Sequence, residues 1–332
     1  MKALILSGGQ GTRLRPLTLT AHKPLLPIVN LPFLNYPLAL LRKHRVKDAV
    51  LCTQDETRPY HGLIEDQKKQ GTSIVCSREL KALGTAGALK NAEKFIDSPD
   101  FFVFNGDILT DFDLSGMLEF HKRKSSLITV GLIRVEDPSL YGLAVASPEG
   151  RIRRFIEKPK RARRGGSLIN CGIYIFDRRV FGLIPQGRKV SVEREIFPAA
   201  IAEGLPVFGF AGARKTYWLD IGSPRKYLKA NLDVLNKKLS AFVPPSKVRK
   251  VGAGSAIHRS AQTENAVIGS RCEVGAGSAL KNCVLLDGVV IGEGTTVENC
   301  VVGNLSHIGA FSRVSGVEAL GDGTRITPYS KL

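Results

Sequence analysis

The residues best suited to chemistry open the chain. Positions 6–18 read LSGGQGTRLRPLT, where Gly8, Gly9 and Gly11 follow an apolar run and precede Thr12, Arg13 and Arg15; Lys23 comes after Pro16. Glycines let backbone N–H groups close on an anion because no Cβ stands between. A guanidinium such as that of Arg13 grips phosphate oxygens through two parallel hydrogen bonds. The combination reads as a cradle for a phosphorylated ligand. It is neither of two familiar cradles. A Walker loop needs GK[ST] where this chain has Gly11-Thr12-Arg13, and the dinucleotide fingerprint GxGxxG lacks its last glycine here. Taken alone, the stretch also reads as a tight surface turn with solvated charges.

Short apolar runs supply the elements that would position this loop: KALIL (2–6), DAVLCT (48–53), TSIVC (72–76) and FFVFN (101–105). Runs of that length suit strands buried on both faces. Amphipathic stretches at 33–45, 60–70 and 86–96 separate them, and a further helix is expected over 222–239. The alternation predicts a Rossmann-like α/β fold, a mostly parallel sheet with flanking helices. Such sheets bind ligands beyond the carboxyl ends of their strands, where both the glycine loop and the triplet NGD (105–107) fall.

Past FVPPSK (242–247) the pattern changes. Val251, Ile257 and Thr263 are six residues apart, as are Ile268, Val274 and Leu280, then Ile291 and Val297, then Ile308, Val314, Leu320 and Ile326, with jumps of five or eleven between sets. Six-residue periodicity with small residues between marks a parallel β-helix of hexapeptide repeats. Three segments are therefore expected: an α/β domain over 1–240, a linker over 241–250 and the β-helix over 251–332.

The chain carries 48 Lys and Arg against 30 Asp and Glu, and residues 1–240 hold 39 and 23 of these. The basic excess thus belongs to the first segment, where a polyphosphate ligand and nucleic acid are both candidate causes. Aromatics are only 7% and sit mostly inside apolar runs, so the interleaved stripe of a nucleic-acid binder is missing. No membrane partner is expected, because the N-terminal apolar run meets glycines at once. The six cysteines show no CxxC pair and no His/Cys zinc spacing, which points to reduced thiols and a cytoplasmic location.

Several stretches occur in a telling order: GGQGTRLRPLT, HKPLLPI (22–28), LGTAGAL (83–89), FNGD (104–107), FIEKP (155–159), NCGIYIF (170–176) and WLDIG (218–222). Together they resemble the sugar-1-phosphate nucleotidyltransferases, over essentially the whole chain, since some members carry a C-terminal left-handed β-helix. LGTAGAL and SVEREIFP (191–198) look most like the mannose-1-phosphate guanylyltransferase branch. The resemblance implies a nucleoside triphosphate and a sugar 1-phosphate as partners, GTP and mannose 1-phosphate first, with thymidine or uridine and glucose as the alternative.

By the same resemblance, Leu6, Gly8, Gly9, Gly11 and Thr12 wrap the nucleotide, and Arg13 and Lys23 hold the departing phosphates. Gly84 and Thr85 line the base. Asp107 and Asp220 hold Mg²⁺. Lys158 contacts the sugar phosphate, Glu157 and Asn170 bond sugar hydroxyls, and Tyr141-Gly142 closes over the sugar. Each has a plainer explanation: Asp107 and Asp220 can cap turns, and Lys158 opens the basic run KPKRARR (158–164), read here as a solvated loop. Ser7 and Cys171 depart from the family pattern without removing a charge. A sugar-nucleotide sensor without activity would lack one of the charged groups, yet Arg13, Lys23, Asp107 and Asp220 are all present. Acyl transfer by the β-helix would need His258 or His307 as base; homo-oligomerisation or packing against the catalytic domain is the role expected of that segment.

Overall fold

A computed structural model describes residues 1–9, 11–54, 57–159, 166–239 and 248–332. Residues 160–164 of the basic run and 241–247 of the expected linker lie outside the described residues. The chain divides into two compact units, one formed by residues 1–9 and 37–218, the other by 10–36 and 219–332.

The first unit is built on a nine-stranded sheet. Its strands are β1 (Lys2–Leu6), β2 (Asp48–Thr53), β3 (Ser73–Arg78), β4 (Asp100–Asn105), β5 (Ile128–Val135), β6 (Gly142–Ala146), β7 (Ile152–Glu157), β8 (Ser167–Asp177) and β9 (Val207–Ala211). Strand β1 pairs in parallel with both β2 and β4, and β2 pairs in parallel with β3. The register sets Leu6 level with Cys52 and Asn105, so three strand ends open on one edge. Helices α1 (Asn35–Lys43), α2 (His61–Lys69) and α3 (Gly84–Ala92) fall within the three sequence-predicted helical stretches or overlap them closely. A parallel return needs a crossover of this kind.

Beyond β4 the sheet is mixed. Strand β8 runs antiparallel to β4 and β5, and β6 to β7. Among the described residues no helix intervenes between β5 and β8, and successive strands double back. The same antiparallel register, Ile173 on Phe104, brings the start of β8 to the edge where β1 and β4 end. Beneath it lies an apolar core of Leu4, Val103, Leu89, Tyr174, Phe176 and Phe197, each fully or almost fully buried.

In the second unit the repeats form a parallel β-helix with three faces. Ile257, Val274, Ile291, Ile308 and Ile326 stack in one column, Thr263, Leu280, Val297 and Val314 in another. Ile268, Leu285, Val302 and Leu320 make the third, so Leu285 and Val302 fill the positions that the eleven-residue jumps skip. Asn265, Asn282 and Asn299 turn successive corners with positive φ, a conformation Asn tolerates through local hydrogen bonding. Helix α6 (Pro224–Leu235), capped by Ser223, packs on the first coils and on the Pro27–Pro32 hairpin. Asn231 accepts the Val29 N–H at 2.8 Å, and Asn30 donates 2.8 Å bonds to the carbonyls of Arg249 and Ile268. Among the described residues no helix is long and apolar enough to cross a membrane.

Candidate active site

In the first unit the residues expected to meet the nucleotide lie at strand ends or in the loops that follow them. Ser7 donates both its N–H and its hydroxyl to the Cys52 carbonyl at 2.9 Å, which anchors the loop just after Leu6. This is why a polar residue is tolerated there. Gly106 donates to the Leu6 carbonyl at 2.7 Å, and a Cβ at Gly106 would lie 2.4 Å from that oxygen. Only glycine allows the two strand ends to approach so closely, and Asp107 follows at once, half-buried. Gly84, at φ 72°, seats its loop on the Val190 carbonyl, 2.6 Å from where a Cβ would stand. Thr85 donates its hydroxyl to Glu193 at 2.9 Å and accepts the Val192 N–H at 2.8 Å, so its proton is already committed.

Among the residues expected to meet the sugar, the β6–β7 hairpin pairs Gly142 with Glu157 in register. A Cβ at Gly142 would meet the Phe155 ring at 2.4 Å and the Glu157 carboxylate at 3.0 Å. Lys158, exposed and at φ 49°, donates its N–H to the Tyr141 carbonyl at 3.1 Å. Its ammonium lies 3.9 Å from Glu157. Tyr141 packs edge-on against Trp218 with centroids 5.3 Å apart, and Trp218 donates its indole N–H to the Cys171 carbonyl at 2.8 Å. Burial, reinforced by the charge of Glu193, pushes the Glu157 carboxyl above its ordinary range. Cys171 is wholly buried and its thiol is pushed up to about 12, so it fills space and takes no part as a nucleophile.

The second unit carries Gly11, Thr12, Arg13, Lys23 and Asp220. Gly11 sits at φ 60° and starts a short turn of 3₁₀ helix, Thr12–Leu14, pinned by Thr18 donating to the Gly11 carbonyl at 2.8 Å. A Cβ on Gly11 would lie 3.4 Å from that of Lys23, which fixes the lysine beside the loop. A Cβ on Gly222 would lie 2.9 Å from an Asp220 carboxylate oxygen and 3.5 Å from the Arg13 guanidinium. Both charged groups thus border the same glycine. Lys226, in the first turn of α6, forms an ion pair with the other Asp220 oxygen.

Known proteins give this arrangement a family. The nucleotidyl transferase family model matches residues 2–237, and the model of the GMPPB C-terminal domain matches residues 248–330. This protein belongs to the nucleotidyl transferase family. It is a nucleotidyltransferase whose C-terminal strands form the repeat domain of that second model. It is 38% identical to the mannose-1-phosphate guanyltransferase of Hypocrea jecorina, over 98% of this chain and 92% of that one. It is 34% identical to the mannose-1-phosphate guanylyltransferase of Mycobacterium tuberculosis, over 89% and 82% respectively. The crystal structure of HddC from Yersinia pseudotuberculosis complexed with GMP-PN covers 70% of this chain and 99% of its own, with a TM-score of 0.60 at 27% identity.

The structure places beside these positions three charged residues that the sequence motifs did not single out. Glu79, at the end of β3, is buried, and one carboxylate oxygen lies 3.3 Å from where a Gly8 side chain would stand. Its other oxygen accepts the Leu83 N–H at 3.0 Å, and burial raises its carboxyl above the ordinary range. Its position five residues before Gly84, at a strand end, was the available signal. Glu193 lies inside SVEREIFP, a stretch that marks the branch yet names no chemistry. Lys226 is hidden by the charge excess around it.

Nucleotidyltransferases of this family generally use a divalent metal. Both aspartates offer only hard oxygen donors, and the buried Asn105 side-chain oxygen, two residues before Asp107, has no hydrogen-bond partner. That donor chemistry suits a hard cation better than zinc or copper. Among the described residues no three His, Cys, Asp or Glu side chains gather as a metal cluster. An ion that takes most of its ligands from phosphate and water needs no such cluster.

Proposed function

We propose that this chain is a mannose-1-phosphate guanylyltransferase, joining GTP and mannose 1-phosphate to give GDP-mannose and pyrophosphate. One observation carries the choice of base: the buried Glu79 carboxylate beside Gly8. Guanine presents two adjacent donors, N1–H and the exocyclic amino group, and a carboxylate accepts from both. Uracil or thymine would offer it one donor flanked by carbonyl lone pairs. The named relatives support the sugar. A glucose-1-phosphate thymidylyltransferase or uridylyltransferase is the second reading. It is prompted by the structure of a putative glucose-1-phosphate thymidylyltransferase from Bacillus anthracis, with a TM-score of 0.64 at 26% identity.

A phosphate oxygen of the sugar attacks the α-phosphorus in line, the α–β bridge breaks, and pyrophosphate leaves. That oxygen is already anionic near neutral pH, so no base is required; the residues must hold two anions in register and offset their charge. Backbone N–H groups after Leu6, at Gly8, Gly9, Gly11 and Thr12, receive the nucleotide. Gly84 and Thr85 border the base. Arg13 and Lys23 hold the β- and γ-phosphates, and Lys158 draws in the sugar phosphate. Glu157 and Asn170 bond sugar hydroxyls beneath Tyr141-Gly142. Mg²⁺, assigned from the motifs to Asp107 and to Asp220, supplies positive charge to the phosphate oxygens when bound. The functional division into a nucleotidyltransferase domain over 1–240 and a β-helix over 251–332, the homo-oligomer and a cytoplasmic location belong to the same reading. The test is pyrophosphate release from a panel of triphosphates and sugar 1-phosphates with Mg²⁺. GTP with mannose 1-phosphate should exceed every other pair, and preference for a pyrimidine triphosphate with glucose 1-phosphate would overturn the assignment.

A further inference from the structure

Between the nucleotide-side and sugar-side residues of the first unit runs an unbroken line of side-chain hydrogen bonds. Thr85 and Ser191 both donate their hydroxyls to one oxygen of Glu193, each at 2.9 Å. Tyr174 donates to the other oxygen at 3.2 Å, and Asn170 donates from its amide nitrogen to the Tyr174 oxygen at 2.7 Å. The Asn170 oxygen accepts the Gly172 N–H at 2.9 Å. Glu193 itself lies on a π-helical turn, Val192–Ile196, a form that gathers at functional sites. Tyr174 is wholly buried and packed against Phe176 and Phe197, with centroids 5.7 and 5.5 Å away.

The donors and acceptors leave one arrangement. An ionised carboxylate only accepts, so Tyr174 must donate to it. Burial holds the phenol far above its ordinary pKa, which keeps that proton in place. The Tyr174 oxygen can then only accept from Asn170, and the nitrogen end of the amide must face it. One amide N–H of Asn170 is left over for a ligand, with its direction set from Glu193. The same carboxylate holds the hydroxyl of Thr85.

We propose that Glu193 is a positioning residue that, through Tyr174, fixes the amide of Asn170 for the sugar phosphate and, through Thr85, ties that amide to the nucleotide loop. This rests on the reading of Asn170 as a sugar-phosphate contact and Thr85 as a nucleotide contact. The experiment measures kcat and both KM values for Tyr174→Phe, Glu193→Gln, Asn170→Ala and the Tyr174→Phe/Asn170→Ala pair, with thermal melts to establish folding. Tyr174→Phe should raise KM for mannose 1-phosphate about tenfold, the loss of roughly one oriented hydrogen bond, and leave KM for GTP within about twofold. Glu193→Gln, which lets both the tyrosine and the amide turn round, should raise both KM values. With Asn170 already replaced, Tyr174→Phe should add almost nothing, because the two act as one unit. A Tyr174→Phe effect that is absent, or equal in both backgrounds, overturns the proposal. Should Tyr174→Phe fail to fold, an unchanged sugar-phosphate KM in Glu193→Gln does the same. Unchanged sugar-phosphate KM in Asn170→Ala instead overturns the site reading on which the proposal stands.

Discussion

Glu79 lets function and stability be separated at a single residue. Burial disfavours the charge and raises its folded carboxyl above the ordinary glutamate range. A group raised in the folded state adds stability below its unfolded pKa and loses it as pH rises through the folded value. Glu79→Gln should therefore melt higher than wild type at pH 7, by about 2–4 °C if roughly 1 kcal/mol is recovered, with the gap closing towards pH 4. The same change should weaken GTP, since an amide cannot accept from both guanine donors. For the wild type, KM for GTP should rise as pH falls through the raised Glu79 pKa, and that limb should flatten in the variant. A melting profile with no pH-dependent gap would contradict the burial argument. Lys158→Ala, read by pyrophosphate release, should lower kcat/KM by about 10²–10³, the scale for losing one charge-stabilising donor. Asp107→Asn should lower turnover as well, and wild-type turnover in either variant would remove that residue from the site.

At the scale of elements, the hairpin that follows Lys23 depends on the start of the β-helix and on α6. Val29 and Asn30 both have positive φ, at 46° and 62°, as the tight two-residue turn requires. Asn30→Ala loses two hydrogen bonds to carbonyls and the short polar side chain that lets asparagine tolerate a left-handed backbone, and should destabilise the protein by about 2–3 kcal/mol. Asn30→Gly, which keeps the φ, should cost less. Urea unfolding of the pair decides it: equal losses would mean that the bonds, and not the turn, carry the whole effect. The neighbouring Asn231 explains why the order of elements matters here, because a side chain of α6 satisfies a backbone N–H 202 residues earlier.

For the whole molecule, the β-helix carries large apolar side chains that its own coils leave exposed. Phe311 and Tyr329 stack at 5.3 Å while 50% and 74% exposed, and Leu305 is 73% exposed. Gly294 leaves room for the Phe311 ring, which would lie 2.6 Å from a Cβ there. If the repeats mediate homo-oligomerisation, the double change Phe311→Ser and Tyr329→Ser should reduce the mass seen by light scattering. A monomeric wild type, or an unchanged oligomer in the variant, would remove these residues from that role. Melting should shift little, since exposed side chains contribute little to the fold.

Much of this was legible in the chain itself. Period and length fixed the parallel half of the sheet, because strands buried on both faces must be apolar throughout, and fixed the β-helix, because stacked coils repeat one inward row. The motifs carried the family, since loops that hold phosphates need glycines and cations at set spacings. What the sequence could not supply was any partner distant along the chain. The antiparallel return of β8, with Ile173 level with Phe104, carries Asn170 past the end of β4, and a register cannot be read from apolar runs alone. Glu79 and Glu193 look like ordinary acids in a basic chain until folding buries one beside Gly8 and sets the other between Thr85 and Tyr174. Residue type follows from sequence, but desolvation and hydrogen-bond direction arise only when remote segments close around a side chain.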